Sequence, residues 1–199
     1  MNISIDEKVF KTFPELKSNR LLFRKILMKD AKDIYFIRSN DDVMEFMDVW
    51  RTKSINDAKK LIRNVHEDYK NERGISWGII EKRSKNFIGY LGFIRMQQQH
   101  CRGEVGYALK PEYWRKGFMT EALKTVIKFG FNEMKLHSIE ANVNPKNQNS
   151  KKLLERMGFK KEAYFRENYL FDGKFLDSVI YSLLERDIKK INFFYLMIF

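Results

Sequence analysis

A basic turn directly before a helical pattern is the clearest candidate for chemistry in this sequence of 199 residues. Arg115 and Lys116 precede Gly117, and the helical pattern then begins with Phe118, Met119 and Thr120. The first amides of a helix have no intrahelical partner and lie at the positive end of the helix dipole, so they attract anions. Because glycine has no side chain to block access, the turn predicts a phosphate-binding site. The alternative is an ordinary solvated helix start.

The residues before this turn predict a strand with two different faces. Val105, Tyr107 and Leu109 share one face, because side chains alternate along a strand. Gly106 and Ala108 share the other face, and both are small enough for a ligand or another backbone to approach closely. The chain therefore predicts a strand, a loop, a basic turn and a helix in succession.

A second stretch carries polar residues at helical spacing. Asn147 and Ser150 lie three residues apart in NQNSKKLLERMGF. Together with WRKGFMTEAL, this stretch resembles the acyl-CoA-binding signatures of the GNAT N-acetyltransferase superfamily. With the closing FDGKFLDSVIYSLL, the sequence resembles the branch that contains the ribosomal-protein alanine and serine N-terminal acetyltransferases. The resemblance extends from Asn19 to Asp187.

This resemblance implies an enzyme that transfers acetyl from acetyl-CoA, its cosubstrate, directly to a primary amine. The implied fold is one α/β (α+β) GNAT-type domain over residues 1–187. Its central twisted sheet is expected to have about six or seven mostly antiparallel strands, splayed in the middle and flanked by about four helices. The acceptor is the N-terminal amine of a ribosomal protein or, as in other members of the branch, a polyamine, an aminoglycoside or another small amine.

The resemblance also implies roles for particular residues. Backbone amides around Tyr107, Ala108 and Leu109 are expected to polarise the thioester, with pantetheine lying along the strand. Asn147 is implied to bind the pantetheine amides and Ser150 to hold or protonate the sulfur. Glu104, at the start of the strand, is the candidate base. The structural alternatives are that Glu104 pairs with Arg102 or a lysine, and that the other two side chains only cap a helix.

Two positions depart from the superfamily pattern. Leu154 occupies the place where many GNAT enzymes have a tyrosine acid. Met119 occupies the last position of the pyrophosphate turn, where glycine or alanine is usual, although a methionine can turn into the core. A CoA- or RNA-binding module without catalysis is therefore a further alternative.

Composition bounds the class of protein. The chain is 44% hydrophobic, enough for one sizeable core, and has no low-complexity linker. Its one cysteine, Cys101, cannot form an intramolecular disulfide, and the three histidines lack metal-ligand spacing. The acidic N-terminal segment does not resemble a signal peptide. We therefore expect a cytoplasmic, metal-free protein that does not associate with membranes.

The net charge of +12 is unevenly distributed. Residues 1–73 hold 16 Lys and Arg against 13 Asp and Glu, whereas residues 74–199 hold 22 against 13. The excess positive charge lies in the half that is expected to bind an anionic cosubstrate, and it is also compatible with ribosome contact. Lysines that serve only solubility are the alternative.

Hydrophobic periodicity predicts the elements that must position these residues. They are a strand at Asn19–Ile26, a helix at Ala31–Arg38 capped by Asp30, a helix at Asn56–Arg73 stopped by Gly74, strands at Ser76–Glu81 and Asn86–Met96, a loop at Gln97–Gly103, a helix at Gly117–Met134, a strand at Ser138–Val143, a helix at Asn147–Met157, and a hairpin of Lys160–Leu170 with Phe175–Leu184 turning at Asp172-Gly173.

Two segments have no role in that framework. The acidic patch Asp41–Asp48 is, by the resemblance, a wall of the acceptor site that attracts a cationic amine; a solvated helix end is the alternative. The tail at residues 188–199 becomes almost wholly apolar from Ile191. It is too short to cross a bilayer, so we expect it to pack on its own domain or in a homodimer.

Overall fold

The computed structural model describes residues 4–190. Its strands are β1 (Leu16–Lys17), β2 (Leu21–Lys25), β3 (Ile75–Glu81), β4 (Phe87–Gln97), β5 (Arg102–Leu109), β6 (Ser138–Val143), β7 (Lys160–Phe171) and β8 (Lys174–Leu184). They form one sheet in the order β1-β2-β3-β4-β5-β6-β8-β7. Every neighbouring pair is antiparallel except β5 and β6, which are parallel.

Seven α-helices accompany the sheet in the described part of the chain. They are α1 (Lys8–Lys11), α2 (Ala31–Ser39), α3 (Asp41–Met44), α4 (Ile55–Lys70), α5 (Phe118–Asn132), α6 (Gln148–Arg156) and α7 (Glu185–Lys190). The four predicted helices are α2, α4, α5 and α6. The three unpredicted helices have four to six residues, and the unpredicted strand β1 has two, too few to show a periodic pattern.

The two faces of the sheet bury two separate apolar clusters. Helix α5 presents its stripe to one face, where Leu123 packs in the same cluster as Phe93 and Ile139, all three fully buried. Helices α2 and α4 cover the other face, where Ile37 and Ile62 are buried with Ala108. The predicted alternation along β5 is confirmed, since Val105 and Leu109 belong to the first cluster and Ala108 to the second.

The sheet opens between β5 and β6. These strands pair only where Arg102–Glu104 faces Ser138–Glu140. Beyond that point β5 stays paired with β4 as far as Leu109, and β6 stays paired with β8 as far as Val143. The two halves of the sheet therefore diverge, and the predicted splay is confirmed. Among residues 4–190, the edge of β5 beyond Glu104 has no neighbouring strand on the side of β6.

Three local predictions were wrong. Asp30 precedes α2 but makes no cap bond, because its carboxylate pairs with Arg24 at 2.7 and 2.8 Å. Helix α4 ends at Lys70, before Gly74, because Glu72 already takes a left-handed conformation with φ of 57°. The predicted loop at 97–103 is mostly structured, since β4 runs to Gln97 and β5 begins at Arg102 around a short 3-10 turn.

Strand β7 forms the outer edge of the sheet next to β8, and its pairing is irregular. The predicted hairpin is confirmed, with Asp172 and Gly173 both at positive φ in the turn. The register shifts between Lys161 and Ala163 and again between Phe165 and Tyr169. At the second shift Glu167 has φ of 48°, and its amide donates to the Asp177 carboxylate at 2.8 Å.

The C-terminal end of the described chain continues the fold. Helix α7 contains Ile188, which packs against the larger apolar cluster. The expected apolar tail from Ile191 onward lies outside the described residues. Between residues 4 and 190, no helix has the length and apolar character needed to cross a membrane.

Candidate functional site

The basic turn has left-handed backbone angles directly before α5. Arg115 and Gly117 both have left-handed backbone angles, with φ of 59° and 76°. Gly117 is the N-cap of α5, and the first intrahelical bond runs from the Glu121 amide to the Gly117 carbonyl at 3.1 Å. The amides before Glu121 therefore precede the helical ladder, and they can bind an anion.

Arg20, directly before β2, holds this turn against the sheet. Its guanidinium donates to the Lys116 carbonyl at 3.0 Å and to the Glu121 carboxylate at 2.6 Å, and lies 4.3 Å from the centre of the Phe118 ring. Burial raises the pKa of Glu121, but bonds from the Arg20 amide, the Ser18 hydroxyl and the guanidinium outweigh it and lower the pKa. Sequence reasoning missed Arg20 because it lies 101 residues from Glu121.

The open edge of β5 presents backbone groups to the split in the sheet. The Lys110 amide donates to the Ile88 carbonyl at 2.9 Å, which fixes the phase of the β4–β5 ladder. In that phase the amides of Leu109 and Tyr107 point away from β4, toward the split. The indole nitrogen of Trp114 donates to the Leu109 carbonyl at 2.9 Å. The amides can therefore receive an extended ligand as a further strand would.

Helix α6 brings Asn147 and Ser150 to the same split. Asn147 is the N-cap of α6, and its Oδ1 accepts from the Ser150 backbone amide at 2.9 Å, so the capping alternative is confirmed as a contact for Asn147 but not for the Ser150 side chain. The Ser150 hydroxyl is hydrogen-bonded to the Tyr107 hydroxyl at 2.7 Å. Burial raises the pKa of Tyr107 to about 12, although the bond with Ser150 opposes the rise. This phenol therefore stays protonated at neutral pH.

A cavity of about 950 Å³ joins these elements. It is lined by the predicted cosubstrate-binding residues Tyr107, Ala108, Leu109, Arg115, Gly117, Phe118, Met119, Thr120, Asn147 and Ser150. Lys116 is not among the lining residues, and its ammonium lies 6.0 Å from the centre of the Tyr113 ring. The two motifs, separated by about a helix and a strand in the sequence, thus meet in one place.

Residues that departed from the superfamily pattern have apolar environments. Met119 is half-buried and packs against the larger core cluster, as a methionine in that position can. Leu154 is fully buried in the same cluster.

The face of β5 that carries Gly106 and Ala108 is only partly open to a ligand. At Gly106 the space is filled, because a Cβ there would lie 2.9 Å from the Ile94 side chain. Of the two small residues in β5, Ala108 lines the cavity and Gly106 accommodates Ile94.

Other lining residues were not predicted. Asn149, Lys152 and Arg156 follow one another at helical spacing along α6, and that spacing was a usable signal for the basic wall. Asp42 and Glu45 from the acidic patch also line the cavity, as does Glu155 of α6. The cavity therefore has basic residues on the side formed by α6 and acidic residues on the side formed by the patch.

Glu104 lies where β5 and β6 part, and it is not among the residues that line the cavity. Its side chain is 13% exposed and pairs with Arg95 at 2.9 Å. The alternative partner Arg102 instead pairs with Glu140 at 3.3 Å, so that expectation was wrong. Burial raises the pKa of Glu104; Arg95 opposes the rise, and Glu140 adds to it.

The end of the acidic patch bridges the split sheet. The Asp48 carboxylate accepts a hydrogen bond from the Tyr169 hydroxyl in β7 and from the Asn144 amide after β6, the latter at 3.2 Å. Next to it, the Trp50 ring lies 5.0 Å from the Phe171 ring. Burial and the bond to Asp48 raise the pKa of Tyr169. The segment after α3 is thus held against the C-terminal half of the sheet.

A metal centre has no candidate in the described residues. No group of three or more His, Cys, Asp or Glu side chains within residues 4–190 could hold a metal ion. The cavity offers amides, hydroxyls and charged side chains instead.

Residues 20–160 match the family model of the acetyltransferase (GNAT) domain. The N-acetyltransferase YoaA of Bacillus subtilis (strain 168) is 37% identical over 173 residues, which cover 87% of this chain and 98% of that protein. The chain belongs to the GNAT acetyltransferase family. The predicted enzyme class, an acetyl-CoA-dependent N-acetyltransferase, is thereby confirmed.

More distant GNAT relatives include an enzyme of known substrate. The [ribosomal protein uS5]-alanine N-acetyltransferase of Escherichia coli (strain K12) is 32% identical over 126 residues, or 62% of this chain and 64% of that protein. A solved acetyltransferase (GNAT family) from Bacillus anthracis has 27% identity and a TM-score of 0.77, covering 87% of this chain and 99% of that one. The predicted fold is therefore confirmed at the level of whole-chain architecture.

Proposed function

We propose that the protein acetylates the N-terminal amine of a polypeptide, and that this polypeptide is a ribosomal protein. The observation that carries the proposal is a cavity in which the open edge of β5 and the turn at Gly117 meet acidic residues. The relative that acetylates an alanine of uS5 supports this acceptor class, as does the resemblance of the closing motif to the same branch.

The donor end of the reaction uses backbone and charge. The amides that begin α5 bind the diphosphate, with Arg115 beside them. The pantetheine arm lies along the open edge of β5, where the amides of Tyr107 and Leu109 hold it and polarise the thioester carbonyl. Asn147 contributes its Nδ2 to the pantetheine amides while its Oδ1 caps α6.

Glu104 removes the amine proton through water. A direct contact is not needed, because an α-amino group with a pKa of about 7.7–8.0 is already roughly a tenth neutral at pH 7. Burial of Glu104 makes its carboxylate a stronger base than an exposed one, since the raised pKa favours proton uptake. The exposed Arg95, paired with this carboxylate at 2.9 Å, opposes the rise in its pKa.

Ser150 stabilises the departing sulfur. Leu154, a core residue, occupies the position of the usual tyrosine acid, so another residue must donate to the sulfur. The Ser150 hydroxyl lines the cavity next to the open strand, where the thioester is expected. A hydroxyl can donate to the sulfur as the sulfur gains negative charge. Because this hydrogen bond is stronger in the transition state than in the ground state, it lowers the barrier.

A small cationic amine is the second candidate acceptor. Asp42 and Glu45 are exposed acidic residues on the cavity wall, and they attract a polyamine or an aminoglycoside as well as a peptide N-terminus. A peptide differs in that it carries only one amine at the site and needs room for its following residues.

The experiment is a thiol-release assay with acetyl-CoA and a panel of acceptors. The panel contains peptides that begin with Ala or Ser, the same peptides with a blocked N-terminus as matched controls, spermidine and an aminoglycoside. The proposal predicts turnover on the free peptides and none on the blocked ones. Turnover on spermidine or the aminoglycoside alone would transfer the assignment to small amines.

The non-catalytic alternative gives a different result. It predicts no turnover on any acceptor, together with RNA binding that weakens steeply with salt. Calorimetry with CoA distinguishes a protein that binds CoA without catalysing transfer from one that does not bind CoA.

A further inference from the structure

The hydroxyls of Tyr107 and Ser150 form a pair that neither motif predicts. Tyr107 lies on β5 and Ser150 on α6, 43 residues further along the chain, and their oxygens are 2.7 Å apart. Both residues line the cavity. The contact links the open strand to the helix next to the split in the sheet.

The direction of this bond determines what Ser150 can do. If Ser150 donates to Tyr107, its only hydrogen is used and cannot reach the sulfur. If Tyr107 donates, the Ser150 oxygen accepts and its own hydrogen is available to the cavity. A hydroxyl that accepts a hydrogen bond is also a better donor, because hydrogen bonds in a chain polarise one another.

The surroundings favour donation by the phenol. The Tyr107 ring packs against the larger apolar cluster, and within residues 4–190 its hydroxyl is hydrogen-bonded only to Ser150. Because burial keeps the phenol protonated, it carries a hydrogen to donate across the neutral pH range. A serine hydroxyl alone rotates freely among its partners, and the phenol removes that freedom.

We propose that Tyr107 is a positioning residue which donates to Ser150 and thereby directs the Ser150 hydroxyl toward the thioester sulfur. This inference rests on the proposed role of Ser150. In the step itself, the amine nitrogen bonds to the acetyl carbon, the carbon–sulfur bond breaks, and the nitrogen gives up one proton through water to Glu104. The sulfur keeps the electron pair and is stabilised by the Ser150 hydrogen bond. The thiolate then takes one proton from water and Glu104 returns its proton to water, so the products are the amide and the free thiol of CoA, and neither hydroxyl is consumed.

The first test is a double-mutant cycle of Tyr107→Phe and Ser150→Ala. Tyr107→Phe is expected to lower kcat about tenfold, with the KM for acetyl-CoA changed less than about twofold. In the Ser150→Ala background it is expected to have no further effect, because the two residues act as one unit. An equal loss in both backgrounds, or an unchanged kcat in the single variant, would overturn the inference.

A second readout does not depend on turnover. The pKa of the CoA thiol, followed by the ultraviolet absorbance of its thiolate, is expected to be about one unit lower on the wild-type enzyme than in solution. Tyr107→Phe and Ser150→Ala are both expected to remove most of that shift while CoA still binds in calorimetry. An unchanged shift in Tyr107→Phe would show that the phenol serves packing alone.

A control and a rescue keep the test interpretable. Tyr69→Phe removes another half-buried phenol, which donates to the Val9 carbonyl at 3.0 Å away from the cavity, and it is expected to leave kcat unchanged. If Tyr107→Phe does not fold, replacing Tyr107 with 3,5-difluorotyrosine retains the hydroxyl but lowers its pKa. The rate is then expected to fall as pH rises through that lower pKa, and a pH profile identical to the wild type would contradict the inference.

The outcomes separate the two levels of the argument. Acetyl transfer by the wild type with no effect of Tyr107→Phe refutes this inference and leaves the proposed function intact. No transfer by the wild type to any acceptor refutes the proposed function itself.

Discussion

The two sides of the cavity are built in different ways. The donor side, comprising the turn at 115–117, the start of α5 and the start of α6, comes from two continuous stretches of sequence. The acidic side, which carries Asp42 and Glu45, is positioned over long separations. Asp48 follows them in the acidic patch without lining the cavity itself, and it bonds to Tyr169, 121 residues further on, and to Asn144, 96 residues further on. Local backbone geometry dominates the first side, and tertiary contacts between separate elements dominate the second.

This difference predicts how the two sides respond to substitution. Changes on the donor side should affect CoA binding, because that side presents backbone amides that no other element can supply. Changes at Glu104, where β5 and β6 separate, should affect the chemical step. Changes on the acidic side should affect the acceptor and leave CoA affinity unchanged. Four predictions test that separation, from the largest effect to the smallest.

Gly117→Val is expected to weaken CoA binding most, by about a hundredfold, because it places a branched side chain at a left-handed position on the cavity wall. The matched control is Gly173→Val, at φ of 72° with no atom within 4 Å of its Cβ. Both variants carry similar backbone strain, so calorimetry with CoA isolates the effect at the site. Equal CoA affinities in the two variants would show that the turn at Gly117 does not bind CoA.

Glu104→Gln is expected to lower kcat about tenfold to a hundredfold, within the usual range for general acid–base catalysis. CoA affinity should be unchanged, since Glu104 does not line the cavity. Glu112→Gln, an exposed carboxylate nearby in the sequence, serves as the control. Steady-state kinetics with a saturating acceptor distinguish the two variants, and a Glu104→Gln enzyme with full kcat would leave Glu104 only its ion pair with Arg95.

The low-pH limb of kcat/KM should move in opposite directions in two variants. A carboxylate base works only when deprotonated, so activity is lost as pH falls through its pKa. Arg95 opposes the raised pKa of Glu104, and Arg95→Ala should therefore shift the limb to higher pH. Glu140 adds to the rise, and Glu140→Gln should shift the limb to lower pH. Shifts of the same sign in both variants would exclude Glu104 as the group that titrates.

Asp48→Asn should have the smallest effect, a rise of up to about tenfold in the acceptor KM, because an amide offers one accepting oxygen where the carboxylate has two. CoA affinity is expected to stay at the wild-type value. Asp41→Asn, which alters an exposed ion pair with Arg51, is the matched control. A change in CoA affinity in Asp48→Asn would show that the two sides are not independent.

The same contrast explains what the sequence could predict. The strand, turn and helix around Gly117 follow from residue types within one short stretch, and they were predicted together with the lining residues of that stretch except Tyr113 and Trp114. Arg20 was missed because its partner Glu121 belongs to another part of the chain. No local pattern indicates a contact whose two residues are brought together only by the sheet order.

Errors in the predicted elements have a similar origin. Asp30 has the right type and position for a helix cap, but the buried ion pair with Arg24 is a stronger interaction for that carboxylate. The ion-pair partner of Glu104 depends on the register between β4 and β5. A bulge in β4 between Phe93 and Arg95 shifts that register, so that Arg95 lies opposite Glu104. In both cases an interaction between elements overrode the local preference.

The irregular pairing of β7 has a consequence for the protein at high concentration. A twelve-residue outer strand is long enough to recruit a strand from another molecule. Its register breaks divide it into short pieces, and the left-handed Glu167 turns its own amide inward to Asp177. Because the strand offers no long continuous row of hydrogen-bonding groups, intermolecular sheet growth along this border is disfavoured.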